Sequence, residues 1–272
     1  MLDAIHSIYG VDFSGAAAAG NRIWITACQI KNGRLHVQEC LPAAKFLKCS
    51  SERKQCLQVF REFVARQQGT AVGMDFPFSL PAEMIEENTW LQFVVNFKSR
   101  YPDVEDFRQK CREYSAAPEL KRLTDIESQA PFSPYNLWVY KQTYYGIADL
   151  LAPLITSEKA VVLPMQNPAG NKPLILEICP ASILKRLGLY SPYKGRQARE
   201  QQHRQKILDF VLNSDAITLA KESLRERILQ NTGGDALDSF ITACRLFELL
   251  KTPTEIFPQD ESKYRVEGLV YF

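Results

Sequence analysis

The sequence predicts an α/β protein built on a mixed sheet, three antiparallel strands followed by parallel ones, flanked by helices and interrupted by a helical insertion. Three observations predict it. Two β-rich runs flank Asn32-Gly33, a pair suited to a tight hairpin because both turn positions tolerate positive φ. An amphipathic run over 52–67 then leads to a short apolar segment over 70–76, the order of a crossover helix and a parallel strand. Further on, the apolar run 174–179 and the amphipathic stretch 235–250 read as another strand and a core-facing helix.

Taken in order, residues 5–13 (IHSIYGVDF) read as the first strand, ending at a turn on Ser14-Gly15. Residues 22–30 and 34–40 form the hairpin. Cys56, Val59, Phe60, Phe63 and Val64 recur at helical spacing, and TAVGMDF at 70–76 is a buried strand. Residues 78–170 carry few strand signals and three helical stretches, 82–99, 103–113 and 135–151, punctuated later by Pro131, Pro134, Pro153, Pro164 and Pro168. They read as an insertion within a single domain spanning 1–272. Most of its aromatics, which include Trp90, Phe97 and Trp138, are expected to pack between helices; Lys141 and Tyr144 are candidates for lining a substrate cleft. Pro180 stops the strand at 174–179, and a helix over 181–187 ends at Gly188. Residues 203–213 and 215–229 read as helices. Gly233-Gly234 precedes the helix at 235–250, whose apolar face carries Leu237, Phe240, Ile241, Cys244 and Phe247. The tail VEGLVYF reads as a last edge strand.

Composition narrows the classes of function. With 272 residues, 46% of them apolar and 24% charged, the chain has enough material for a core without disulfides or metal. A net charge of +2 excludes a polycation, so any nucleic-acid contact comes from local patches. The seven cysteines are odd in number and none are spaced CxxC, which points to reduced thiols in a cytoplasmic setting. The N-terminus lacks the basic region of a signal peptide, and no apolar run approaches the ~20 residues of a membrane span. No sequence signal speaks to oligomeric state.

Carboxylates carry the chemistry. Asp12 in GVDFSG, Asp75 in GMDFPFSLP and Glu177 in LEICPAS lie within apolar runs, and Asp235 and Asp238 open the helix in GGDALDSF. A lone buried carboxylate is costly unless it is paired, hydrogen-bonded or on a metal. Asp12 and Asp75 come late in their strands and Glu177 is two residues from the end of its own, so all three reach the carboxyl edge where parallel sheets open their functional crevice. Asp235 and Asp238 are three apart and share one face of the first helical turn. Each acid has a plainer reading. Asp12 alone fits a turn at Ser14-Gly15, Asp75 a cap before Pro77, Glu177 a pair with Lys172 or Arg186, and the two helix acids an N-cap and third-position acid. Taken together, the acids suit one or two Mg²⁺ or Mn²⁺ ions, which take oxygen ligands alone.

The segments GVDFSG, GMDFPFSLP, LEICPASILKRLG and GGDALDSFITA resemble the signature blocks of the DUF429 family of predicted RNase H-like nucleases. The last block is also similar to the acidic helix motif of RuvC-type resolvases. The resemblance covers about residues 5–80 and 172–250 and leaves the insertion unaddressed. It implies a ribonuclease H-like core in which Asp12 and Asp75 are strand acids on the metal and Asp235 and Asp238 are the helix acids. Glu177 matches the strand-then-proline block. The activity implied is metal-dependent phosphodiester hydrolysis on DNA or RNA, and no histidine belongs to a motif.

Residues 185–206 hold Lys185, Arg186, Lys194, Arg196, Arg199, Arg204 and Lys206 against one acid, Glu200, with Tyr190 and Tyr193 interleaved. Such a segment can grip phosphates or serve as a solvated face. Lys194, Arg196 and Arg199 are therefore candidate substrate contacts. Two other readings keep the same fold: an actin-like phosphotransferase, which needs a glycine-rich phosphate loop where this chain has GVDFSGAAAAG, and a non-catalytic nucleic-acid-binding module.

Overall fold

A computed structural model describes residues 2–115, 117–257 and 264–272. Strands β1 (Ser7–Asp12), β2 (Trp24–Lys31), β3 (Arg34–Pro42), β4 (Thr70–Asp75), β5 (Val161–Leu163), β6 (Leu174–Ile178), β7 (Ile217–Leu219) and β8 (Val270–Tyr271) form one sheet. Its order is β5-β6-β4-β1-β2-β3-β7, with β8 pairing β6 beyond the end of β5. β1, β2 and β3 are antiparallel neighbours, while the β1–β4, β4–β6, β5–β6, β6–β8 and β3–β7 pairs are parallel. The hairpin turns at Asn32 and Gly33, with φ of 51° and 71°, as expected for its type.

Helices cover both faces. The Arg53–Ala65 helix and the insertion pack against Val11, Ile25, Val72, Met74 and Ile175 on one face. The Pro180–Arg186, Ala198–Leu212, Glu222–Gln230 and Asp235–Lys251 helices pack against Ile8, Cys28, Val37, Ala71, Leu174 and Leu176 on the other. The Asp235–Lys251 helix lies directly on β1. A Cβ added to Gly10 would overlap the Ser239 carbonyl and the Ala243 backbone nitrogen, so only glycine allows this approach. Ser239 fixes the same contact by bonding Thr26 of β2 at 2.8 Å.

The structure departs from the sequence reading in several places. Residues 215–229 are not one helix. Ile217–Leu219 pairs with β3, and the helix begins at Glu222. The stretch 78–170 holds a strand, Val161–Leu163. Both strands have three residues, too few for a period to register. The helix expected at 135–151 is shifted to Tyr140–Tyr145, the π-helical Gly146–Leu151 and Ala152–Thr156. Gly146 faces the Phe76 ring there with no room for a Cβ.

The C-terminal segment fastens the insertion to the sheet. Glu267 accepts the backbone N–H groups of Ala82 and Leu123, each at 2.7 Å. Val270 of β8 donates its N–H to Thr124 Oγ1 at 2.7 Å. Among the described residues no helix is long and apolar enough to cross a membrane.

Candidate active site

The pleat decides which acids meet. Along β1, Ile8 and Gly10 face the Asp235–Lys251 helix, so Asp12 faces it too. Along β4, Ala71 and Gly73 face that side, with Gly73 against Thr242, and Asp75 follows in the same phase. Asp12 and Asp75 are direct register partners at the carboxyl ends of adjacent parallel strands. In β6, Leu174, Leu176 and Ile178 share the helix-side phase, which turns Glu177 to the opposite face.

Asp238 completes the cluster from above. It lies in the first turn of its helix and is buried. Lys194 Nζ contacts its Oδ2 at 2.7 Å, and the Tyr193 hydroxyl donates to Oδ1 at 2.7 Å. Gly234, at φ 84°, makes room for this arrangement. A Cβ there would sit 2.9 Å from Lys194 Cγ and 3.0 Å from the Tyr193 ring. Arg204 holds the carrying loop by donating to the carbonyls of Tyr193 and Gly195 at 2.6 and 3.0 Å.

The electrostatics record the crowding. Burial holds the Asp12 carboxyl well above the usual carboxylate range; Asp238, Asp75 and Asp235 push the same way and Lys194 opposes them. Burial, then Asp238, raises Asp75 to about 8, again against Lys194. Burial also raises Asp235. The Lys194 ammonium is stabilised, chiefly by Asp238 and also by Asp12 and Asp75.

These groups floor a pocket of about 250 Å³ lined by Asp12, Asp75, Asp238, Tyr193 and Lys194. Phe132, Trp138, Val139 and Gln142 of the insertion form its wall. Asp235 acts on Asp12 through its charge but is outside the lining. The helix acid that faces the strand acids is thus Asp238.

Glu177 lines the pocket but is held by a buried arginine. Arg122 meets its Oε1 at 2.5 Å and its Oε2 at 2.9 Å, and the Phe78 N–H donates to Oε2 at 2.9 Å. Arg122 also bonds Asp125 at 2.7 Å. The partners suggested by the sequence, Lys172 and Arg186, are not used; Lys172 pairs with Glu158 instead. Arg122 stands 55 residues from Glu177 in sequence, too far for any local pattern to betray it.

The expected cleft residues are corrected similarly. Tyr144 is buried, its hydroxyl donating to the carbonyls of Tyr101 and Pro102, and it does not reach the pocket. Lys141 is exposed and sits over the Tyr140 ring outside the pocket. Arg196 and Arg199 are exposed and line nothing here. Of the basic segment only Lys194 enters the site, as partner to an acid, while Arg204 is structural.

The donor set is oxygen-only, with three carboxylates against one ammonium, which suits a hard divalent cation. Among the described residues no three acids, histidines or cysteines stand ready-made around a metal position. The cation that touches Asp238 is Lys194. No family model, curated protein or solved structure matches the chain.

Proposed function

We propose that this protein has a ribonuclease H-like core and hydrolyses phosphodiester bonds in nucleic acid with Mg²⁺ or Mn²⁺. The observation that carries the reading is the pairing of Asp12 with Asp75 across adjacent parallel strands, with Asp238 brought to the same face by the helix packed on Gly10. The sheet order supports it: three antiparallel strands, with β4 and β6 added parallel beside β1.

Asp12, Asp75 and Asp238 would hold the ion, with Asp235 adding negative potential from outside the pocket lining. Bound there, the ion supplies Lewis-acid polarisation of a phosphoryl oxygen and a more acidic water. The chain's own residues do the rest. Tyr193 and Lys194 fix the orientation of Asp238. Arg122 neutralises Glu177, so that acid shapes the pocket edge and leaves the phosphate-facing charge to the three aspartates.

The phosphotransferase alternative needs an open glycine-rich turn after β1. Here Gly15 presses against the Lys141 backbone with no room for a Cβ, and Arg53 Nη1 grips its carbonyl at 2.9 Å. The turn is closed, which favours hydrolysis.

The test is cleavage of labelled single-stranded, duplex and branched nucleic acid with Mn²⁺. Wild-type protein is expected to cleave at least one substrate, and Asp12→Asn to abolish cleavage while keeping a native circular dichroism spectrum. No cleavage of any substrate by the wild type sinks the reading.

A further inference from the structure

We propose that Trp138 and Phe132 form a stacking platform for one unpaired nucleobase, so that the acid cluster serves single-stranded or locally opened nucleic acid. The proposal rests on the hydrolytic reading of the same pocket.

Trp138 was expected to pack between helices; instead it is 75% exposed. Phe132 is 37% exposed, and both rings line the pocket floored by Asp12, Asp75 and Asp238. Scattered exposed apolar residues need no explanation, but two aromatics in one cavity with a carboxylate cluster do.

The loop that carries them is built rather than loose. Glu119 accepts from Ser133 Oγ and from Asn136 Nδ2, both at 2.8 Å. Asn136 in turn accepts the Trp138 N–H at 3.1 Å. Buried Tyr135 anchors the loop from below through the Leu120 N–H. A fixed backbone thus holds an indole outward beside the acids.

Aromatic faces on one wall and, with the cation bound, a phosphate-attracting floor on the other match the two halves of a nucleotide. Stacking tolerates any base, since each has a π-face. The pocket has a volume of about 250 Å³, and a base offers its face to an aromatic ring only where it is free of its neighbours in the stack, so a duplex must first open.

Tryptophan fluorescence gives the test. Trp24 and Trp90 are buried at 8% and 1% exposure, so Trp138 is the solvent-facing indole. The titrations use oligo(dT), oligo(U) and a blunt duplex of equal length, against wild-type protein in Ca²⁺, a divalent cation that takes the same oxygen ligands. Saturable quenching is expected with the single strands and not with the duplex; the two single-stranded arms tell DNA from RNA. Trp138→Ala is expected to abolish the quenching and to weaken binding of a dye-labelled strand roughly tenfold or more, the scale of one lost stack. Trp138→Phe restores most of that affinity. Equal quenching by duplex, or unchanged affinity in Trp138→Ala, overturns the platform even if the wild type cleaves. Quenching by single strands without cleavage by the wild type upholds the platform and sinks the hydrolytic reading instead.

Discussion

Lys194 and Asp238 form an ion pair of 2.7 Å inside the acid cluster. Tyr193 takes the other Asp238 oxygen, so both oxygens are engaged before any ligand arrives. The ammonium is the counter-charge that lets three aspartates share one pocket, and it competes with a metal for Asp238 Oδ2.

Lys194→Met therefore has two expected effects. Mn²⁺ binding tightens by roughly tenfold, equivalent to about 1.4 kcal/mol, because the oxygen no longer has to be vacated. The metal-free melting temperature falls, because the acids lose their cation. Calorimetric titration and thermal melts measure both. Unchanged metal affinity counts against competition at this oxygen.

Stability should depend on pH through Asp75. Its folded value, about 8, lies above the unfolded value near 3.8. The folded state then holds a proton that the unfolded state has released. The stabilisation is complete below about 4 and is lost as pH rises toward 8. Urea titrations of metal-free protein between pH 5 and 8 are expected to show falling stability. The slope is at most roughly 1.4 kcal/mol per pH unit per proton. Asp75→Asn should reduce it, leaving the share of Asp12 and Asp235, whose carboxyls are raised as well, and an identical slope in that variant would exclude Asp75 as a source.

Gly10→Ala tests the helix-on-strand contact. The new methyl meets backbone atoms of Ser239 and Ala243, which cannot move without lifting the helix. A loss on the order of 3 kcal/mol is expected by chemical denaturation, the upper range for overpacking. The displacement carries Asp238 away from Asp12, so metal affinity should fall too. A variant as stable as the wild type refutes the close approach.

Arg122→Met leaves Asp125 and Glu177 buried without their cation. Removing one partner of such a pair costs about 3–5 kcal/mol. Denaturation should show this loss, and adding Glu177→Gln to the same chain should recover part of it. Full stability in the single variant would place Glu177 in contact with some other positive group.

Much of the site was legible because strands and helices have fixed periods. Asp12 and Asp75 each end an apolar run, and Asp238 sits one turn into a helix announced by Gly233-Gly234, so convergence at one edge followed from topology. Glu177 was grouped with them because it shares that edge, and its opposite face follows from the odd-even count against Leu174, Leu176 and Ile178. Its arginine partner was out of reach, since Arg122 arrives from the insertion. Lys194 read as a phosphate contact because charge alone does not say which acid it meets. Trp138 read as core because aromatic content in helical segments usually is. Its outward placement depends on Glu119, Ser133 and Asn136, a network no period encodes. The short strands β5 and β7 escaped for want of length.

The staples from Glu267 and Val270 to residues 82, 123 and 124 divide the pocket by order of synthesis. Every aspartate of the floor has been made once the chain reaches its 251st residue, whereas the insertion that carries the aromatic wall receives these bonds only when Glu267 and Val270 follow. A growing polypeptide can thus assemble its acidic hearth before it owns the clasp of the insertion that faces it, and a molecule clipped just short of Glu267 would keep the first and lose all three bonds of the second.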